Sequence, residues 1–453
     1  MKSRYHLLLG FLLIGTNALA EEPTFETIQQ WVNQGEVPTV EAFLGKLPSS
    51  LRSNFTLMRE SKSSQQASGS APRAILFGET GKLLVAFNGD PEQKGYNTVE
   101  LIQFREPGRF EFRALRFPKG GKPELSGANP ARCLECHGDP PRPRWGNYFT
   151  WKGAYGEVDD ALVTGSAPWT DFRGFTEKQK DHPRYRTLIR SGEKENPYAP
   201  FHESSAERRF NFTPPDPAFR NLSFMPNTRF SMLLARLVSQ DISSRLVASP
   251  YFSKYRHWLL FREAFGCYEK LVGEKAWNTV QEMESLIAED FERVFPGEKI
   301  PDVWKNATYY RVYRLLGIPT GQEERESITG LRYEDGISGM GPLVWWRVGR
   351  AMSEKDAQLK TLVDRYETSA KTYYGTEYNK TKLAAPEAFE RLDAQGRFLD
   401  TRLAFLTFPK DRFESTQKEA CELLADRIKS DLEQVRRASK PHAEPMRGEP
   451  AHR

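Results

Sequence analysis

The chain has 453 residues, with 65 Lys and Arg against 60 Asp and Glu and a net charge of +5 at neutral pH. Both signs are mixed along its length, so it carries no basic block of the kind that selects nucleic acid. Aromatic residues make up 12% of it, enough for sizeable cores, and the length predicts two or three folded units.

At the N-terminus Lys2 and Arg4 precede a short apolar run, LLLGFLLI from Leu7 to Ile14. Ala18-Leu19-Ala20 follows, and then polar Glu21-Glu22. This is the layout of a secretory signal peptide, residues 1–20, cleaved near Ala20. The run has no twin arginine, which favours the general secretory route, and no cysteine follows it to take a lipid. No other segment has the roughly 18 consecutive apolar residues a membrane-spanning helix needs. The mature chain is therefore expected to be exported and to lack a membrane span.

Residues 21–225 read as an N-terminal α+β domain. Two short helices are expected within 24–46, with Thr24 or Thr27 as caps and a break at Pro38. The polar stretch from Glu60 to Ser70 reads as a loop. Strands at 74–77 and 83–87 flank the turn Gly78-Glu79-Thr80-Gly81. Strands at 98–104 and 110–117 flank Glu106-Pro107-Gly108. Alternation in Phe110-Glu111-Phe112-Arg113-Ala114-Leu115-Arg116-Phe117 predicts one buried face. Residues 226–439 read as a helical domain, with helices at 229–247, 255–272, 274–295, 304–316, 345–373, 385–394 and 412–438 and a Gly-rich loop over 319–342. The polar tail, 440–453, reads as disordered. The expected class is α+β, mainly α: a small antiparallel β meander ahead of a large helical C-terminal part.

Between meander and helices stands Cys133-Leu134-Glu135-Cys136-His137, one copy of C-x-x-C-H. This is the attachment signature of c-type haem. Two thiols add to the two porphyrin vinyl groups, the two-residue spacer lets both sulfurs reach one macrocycle edge, and the adjacent imidazole becomes the proximal iron ligand. A structural zinc site needs about four ligands and this run offers two thiols. A C-x-x-C redox pair belongs with a βαβ pattern that is not present. A disulfide across so tight a turn would be strained. The chain thus resembles the c-type cytochromes, and the resemblance implies one covalently attached haem c with Cys133, Cys136 and His137 as its binding residues. A strand-rich segment before the motif, and the prolines Pro140, Pro141 and Pro143 after it, depart from the small class I cytochrome c fold.

The sixth iron ligand is open between His182, before Pro183, and Met225 in Met225-Pro226, which is similar to the distal Met-Pro step of class I c-type cytochromes. His202 is a further possibility, and a five-coordinate iron another. His257, beside Trp258 in a helical stretch, reads as packing. Arg142, Arg144 and Trp145 suit haem propionates or a haem wall, as do Arg132 and the aromatic run Trp145, Tyr148, Phe149, Trp151 and Tyr155. The remaining cysteines, Cys267 and Cys421, either pair in an oxidising compartment or stay as buried thiols.

The function expected from these residues is electron transfer by Fe(III)/Fe(II) cycling in a bacterial periplasm, with a periplasmic redox protein as partner. The alternatives are a peroxidase-like haem enzyme and a haem-based gas or redox sensor, both needing an open sixth site. No G-x-S-x-G, H-E-x-x-H or P-loop competes.

Overall fold

The computed structural model describes residues 22–61, 63–106, 108–143, 153–155, 167–188, 226–302, 304, 306–318, 340–354, 356–365 and 410–438. The expected signal peptide, Arg144, Trp145, His202, Met225, the helix expected at 385–394 and the tail lie outside them, as does most of the 319–342 loop.

The chain opens with α1 (Phe25–Asn33), α2 (Val40–Lys46) and α3 (Ser49–Arg52). Thr24 caps α1 by accepting from the Thr27 amide at 3.3 Å, and Thr39 caps α2 by accepting from Ala42 at 3.1 Å, each satisfying an N–H that the first turn leaves over. Six strands follow: β1 (Phe55–Met58), β2 (Arg73–Leu76), β3 (Leu83–Phe87), β4 (Thr98–Arg105), β5 (Arg109–Arg116) and β6 (Glu124–Leu125). They form one sheet in sequence order, every neighbour antiparallel. The sheet contains the two expected hairpins and extends past both. β1 and β3 are buried at every position, because both faces are covered, and so they lack the alternation that marks a half-buried strand.

Side-chain alternation divides the sheet into two faces. Across it, Leu84, Ile102 and Phe112 share a row, since Leu84 pairs with Ile102 and Ile102 with Phe112. Val99 and Leu115 also pair, with side chains on the opposite face. That opposite face packs with α1, α2, Phe172, Phe175 and Tyr185, the last three from α5 (Ala167–Lys178) and the turn after it. The Phe112 face packs against the helical half.

The helical half comprises α6 (Pro226–Ala248), α7 (Phe252–Leu259), α8 (Glu269–Val272), α9 (Glu274–Val294), α10 (Ala307–Leu315), α11 (Met340–Ser353) and α12 (Lys410–Ala438), with α4 (Ala131–His137) lying earlier in the chain. The helix expected over 255–272 is broken: after α7 the backbone takes one π turn, Leu260–Ala264, and Gly266 at φ 57° turns it away before α8. The helix expected over 345–373 is interrupted: α11 ends at Ser353 and helix resumes over 357–365. Cys267 and Cys421 form a disulfide that ties the segment after the π turn to α12 across 154 residues. His257 of α7 donates its Nδ1–H to the Asp431 carboxylate of α12 at 2.7 Å, so it holds helices together.

Residues on both sides of position 225/226 pack into one hydrophobic cluster. Phe230 of α6 stacks on Phe77 with ring centroids 5.0 Å apart, and one cluster runs from Phe77, Phe104 and Phe112 through α6 to Trp258, Ile287 and Cys421. Burying large aromatics in this way removes roughly 2–3 kcal/mol of apolar exposure per ring, so the sheet face and the helices stabilise each other.

Candidate functional site

The C-x-x-C-H run forms α4, and the meander delivers it. Behind β5 the chain doubles back through β6. Asn129, at φ 51°, then makes a two-way pair with Phe112: its side-chain Oδ1 accepts from the Phe112 amide at 2.9 Å and its own amide donates to the Phe112 carbonyl at 2.8 Å. Pro130 starts α4 at the next residue and has no N–H to leave unsatisfied. Gly138, at φ 77°, ends the helix directly after His137, a conformation glycine adopts without a Cβ clash.

Positions i, i+3 and i+4 of a helix share one face, so α4 presents Cys133, Cys136 and His137 together. Cys133 is half-buried against the core, Cys136 is exposed, and the two are not joined to each other. Burial pushes the Cys133 thiol above its ordinary pKa, with Glu100 adding to this and Arg132 opposing it. The thiol form of Cys133 is thereby favoured over the thiolate. The imidazole of His137 lies against Phe112, ring centroids 4.5 Å apart.

The His137 Nδ1 is 2.6 Å from the carbonyl oxygen of Arg142. A carbonyl only accepts, so Nδ1 carries the proton and the lone pair of the neutral ring is on Nε2. A proximal iron ligand requires this tautomer, and metal-binding histidines are commonly oriented by a carbonyl in the same way. Two unbridged thiols and an imidazole set in that tautomer, on one face of one short helix, fit a haem held by two thioethers. Among the described residues, no group of three or more His, Cys, Asp and Glu side chains gathers to hold a metal ion alone.

Arg142 itself is buried, and its Nε donates to Asp241 of α6 at 2.6 Å. Asp241 has no exposed surface and also receives Arg245 Nε, at 2.9 and 3.1 Å, and Arg109 Nη1 at 3.4 Å. Gly108, at φ 133°, lets the β4–β5 turn approach α6: a Cβ there would stand 2.9 Å from Ser244 Oγ. The guanidinium expected to meet a propionate is thus bound to a carboxylate of the helical half.

Of the other expected site residues that are described, His182 and Tyr155 belong to the core on the far side of the sheet. His182 has both ring nitrogens in use: Nδ1 accepts from the amides of Arg184 and Tyr185 at 3.2 and 3.3 Å, and Nε2 bonds the Gly89 carbonyl at 3.0 Å. Its ring packs on Tyr185, in the core on the far face of the sheet from Phe112. Tyr155, expected in a haem wall, belongs to that far core too, edge-on to Phe172. Arg132 reaches Ser64 Oγ at 3.4 Å. Sequence reasoning did not single out Phe112, Asn129 or Asp241 as parts of the site. For Asp241 a signal existed: with Leu234, Val238 and Arg245 it lies at i+7, i+3 and i−4 spacing, a carboxylate on the apolar stripe of a helix.

Set against known protein families, curated proteins and solved structures, the chain matches none of them.

Proposed function

We propose that this chain is an exported, monohaem c-type protein of the bacterial periplasm that carries single electrons to or from a partner protein. The observation that carries this reading is the His137 Nδ1 to Arg142 carbonyl bond, beside two unbridged thiols one helical turn apart. Haem, once attached, supplies an iron that passes between the ferric and ferrous states. Cys133 and Cys136 would hold it through thioethers, and His137 would present Nε2 as proximal ligand. Phe112 flanks the imidazole and limits its rotation. The exposed Cys136 side of α4 leaves an edge toward solvent, where a partner can approach. The Cys267–Cys421 bridge supports an oxidising compartment, where such bonds form and persist. Among the described residues, no helix is long and apolar enough to cross a membrane.

The test is an absorption spectrum of the purified, reduced protein from a host that matures c-type cytochromes, with and without carbon monoxide. A c-type spectrum that CO does not change is the expected result. A spectrum shifted by CO would replace electron transfer with the enzyme or sensor reading. No haem at all would overturn the proposal.

A further inference from the structure

We infer that Asp241, on α6, is a positioning residue for His137, acting through the side chain and carbonyl of Arg142. The inference rests on the haem reading above and deepens it, by giving the helical half a role in setting the iron's potential.

Pro140 and Pro141 have no N–H to donate. The Arg142 amide donates to the His137 carbonyl at 3.1 Å, and the Arg142 carbonyl accepts from His137 Nδ1 at 2.6 Å. Those two bonds close a small ring between the residues but do not anchor it to the body of the protein. The Arg142 side chain, buried and bonded to Asp241 at 2.6 Å, ties it to α6. Asp241 is in turn fixed by Arg245 and Arg109.

Taking a carboxylate wholly out of water is expensive, and an apolar side chain at that place would commonly be as stable. What the ion pair supplies is direction. The planar guanidinium points its Nε–H at one Asp241 oxygen, which restrains the side chain of residue 142 and so the aim of its carbonyl. A well-aimed Nδ1–H···O bond makes the imidazole a stronger donor, which favours the ferric state. Loosening it favours the ferrous state and raises the potential.

The test uses full-length, haem-loaded protein and the variants Asp241→Asn, Arg142→Lys and Asp290→Asn. Arg142→Lys keeps the charge and loses the planar Nε–H donor. Asp290→Asn is a control: it removes another buried carboxylate of the helical half, one held by Lys254, Tyr255 and Arg293. The readouts are the midpoint potential and the hydrogen exchange rate of the His137 Nδ1–H by NMR of the reduced protein. Both Asp241→Asn and Arg142→Lys should raise the potential and speed exchange by about fivefold, the protection lost with one hydrogen bond. Asp290→Asn should leave both unchanged. Unchanged readouts in Asp241→Asn and Arg142→Lys would overturn the inference, and so would a change confined to Asp241→Asn, which marks lost charge rather than lost aim. If the wild-type chain takes up no haem, the functional reading fails by itself. The Nδ1–H exchange rates of the haem-free full chain then decide the clamp in the same way.

Discussion

His137 and His182 lie on opposite faces of one six-stranded sheet. The first packs on Phe112, the second on Tyr185, and those rings belong to different cores. His182 is also held neutral, since burial lowers its pKa. In the haem-loaded protein, His182→Ala should leave the reduced spectrum and the potential unchanged. It should still cost about 1–3 kcal/mol of stability, because two amides and the Gly89 carbonyl lose a partner. Spectra and urea unfolding of the same sample check both halves. A moved spectrum would mean that His182 reaches the iron.

The thiols of α4 carry a prediction in mass. Wild-type protein should be heavier than its mature sequence by one haem, and should remain so after extraction with acidified acetone. Cys133→Ser and Cys136→Ser should each keep one thioether and shift the reduced absorption band. The double variant should lose the covalent mass entirely. Intact-mass measurement with a parallel spectrum reads all three.

Glu263, on the π turn, accepts from Tyr313 Oη at 2.5 Å. Burial pushes its carboxyl up to about 7, although Tyr313 and Arg262 pull the other way. In the unfolded chain it ionises near about 4.3. Between those values the folded state holds a proton that the unfolded state has released, so stability should fall as pH rises through this window and level off above it. The fall attributable to Glu263 is at most roughly 4 kcal/mol. Glu263→Gln keeps an acceptor for Tyr313 and should flatten this part of the profile, measured as urea midpoints between pH 4 and 8. An unaltered slope in the variant would place the titration elsewhere.

The disulfide closes a long loop, since Cys267 and Cys421 stand 154 positions apart in the chain. Removing it with Cys421→Ala should cost about 2–5 kcal/mol, chiefly by freeing the unfolded chain. Comparing denaturation midpoints of wild type with and without reductant should show a loss that the variant, already without the bridge, does not repeat.

Phe230 carries the contact between sheet and helices. Phe230→Ala should cost about 3–5 kcal/mol, from lost burial and the cavity left beside Phe77. Because the core is continuous, a fluorescence probe of the helical tryptophans and a far-ultraviolet signal should report one shared transition in wild type. Two separated transitions would show that the 225/226 boundary divides the stability of the protein after all.

The sequence by itself determined what depends on neighbours along the chain. The Phe110–Phe117 alternation marked a strand because its two faces differ in polarity, and the 3.6-residue periodicity marked α6, α9 and α12. The C-x-x-C-H run stood out because its chemistry is local, but sequence reasoning did not mark it as the helix α4. β1 stayed hidden, since a strand buried on both faces has no period of two to read. The tertiary structure alone decided which residues meet. It set a sheet between His137 and His182, which no spacing of 45 residues along a chain can reveal. It carried Asp241 to Arg142 across 99 residues, giving a buried carboxylate its partners from β5, α6 and the segment after α4. Such long-range pairings follow from how the apolar faces of sheet and helices cover each other, and that depends on the whole core at once rather than on any stretch of sequence.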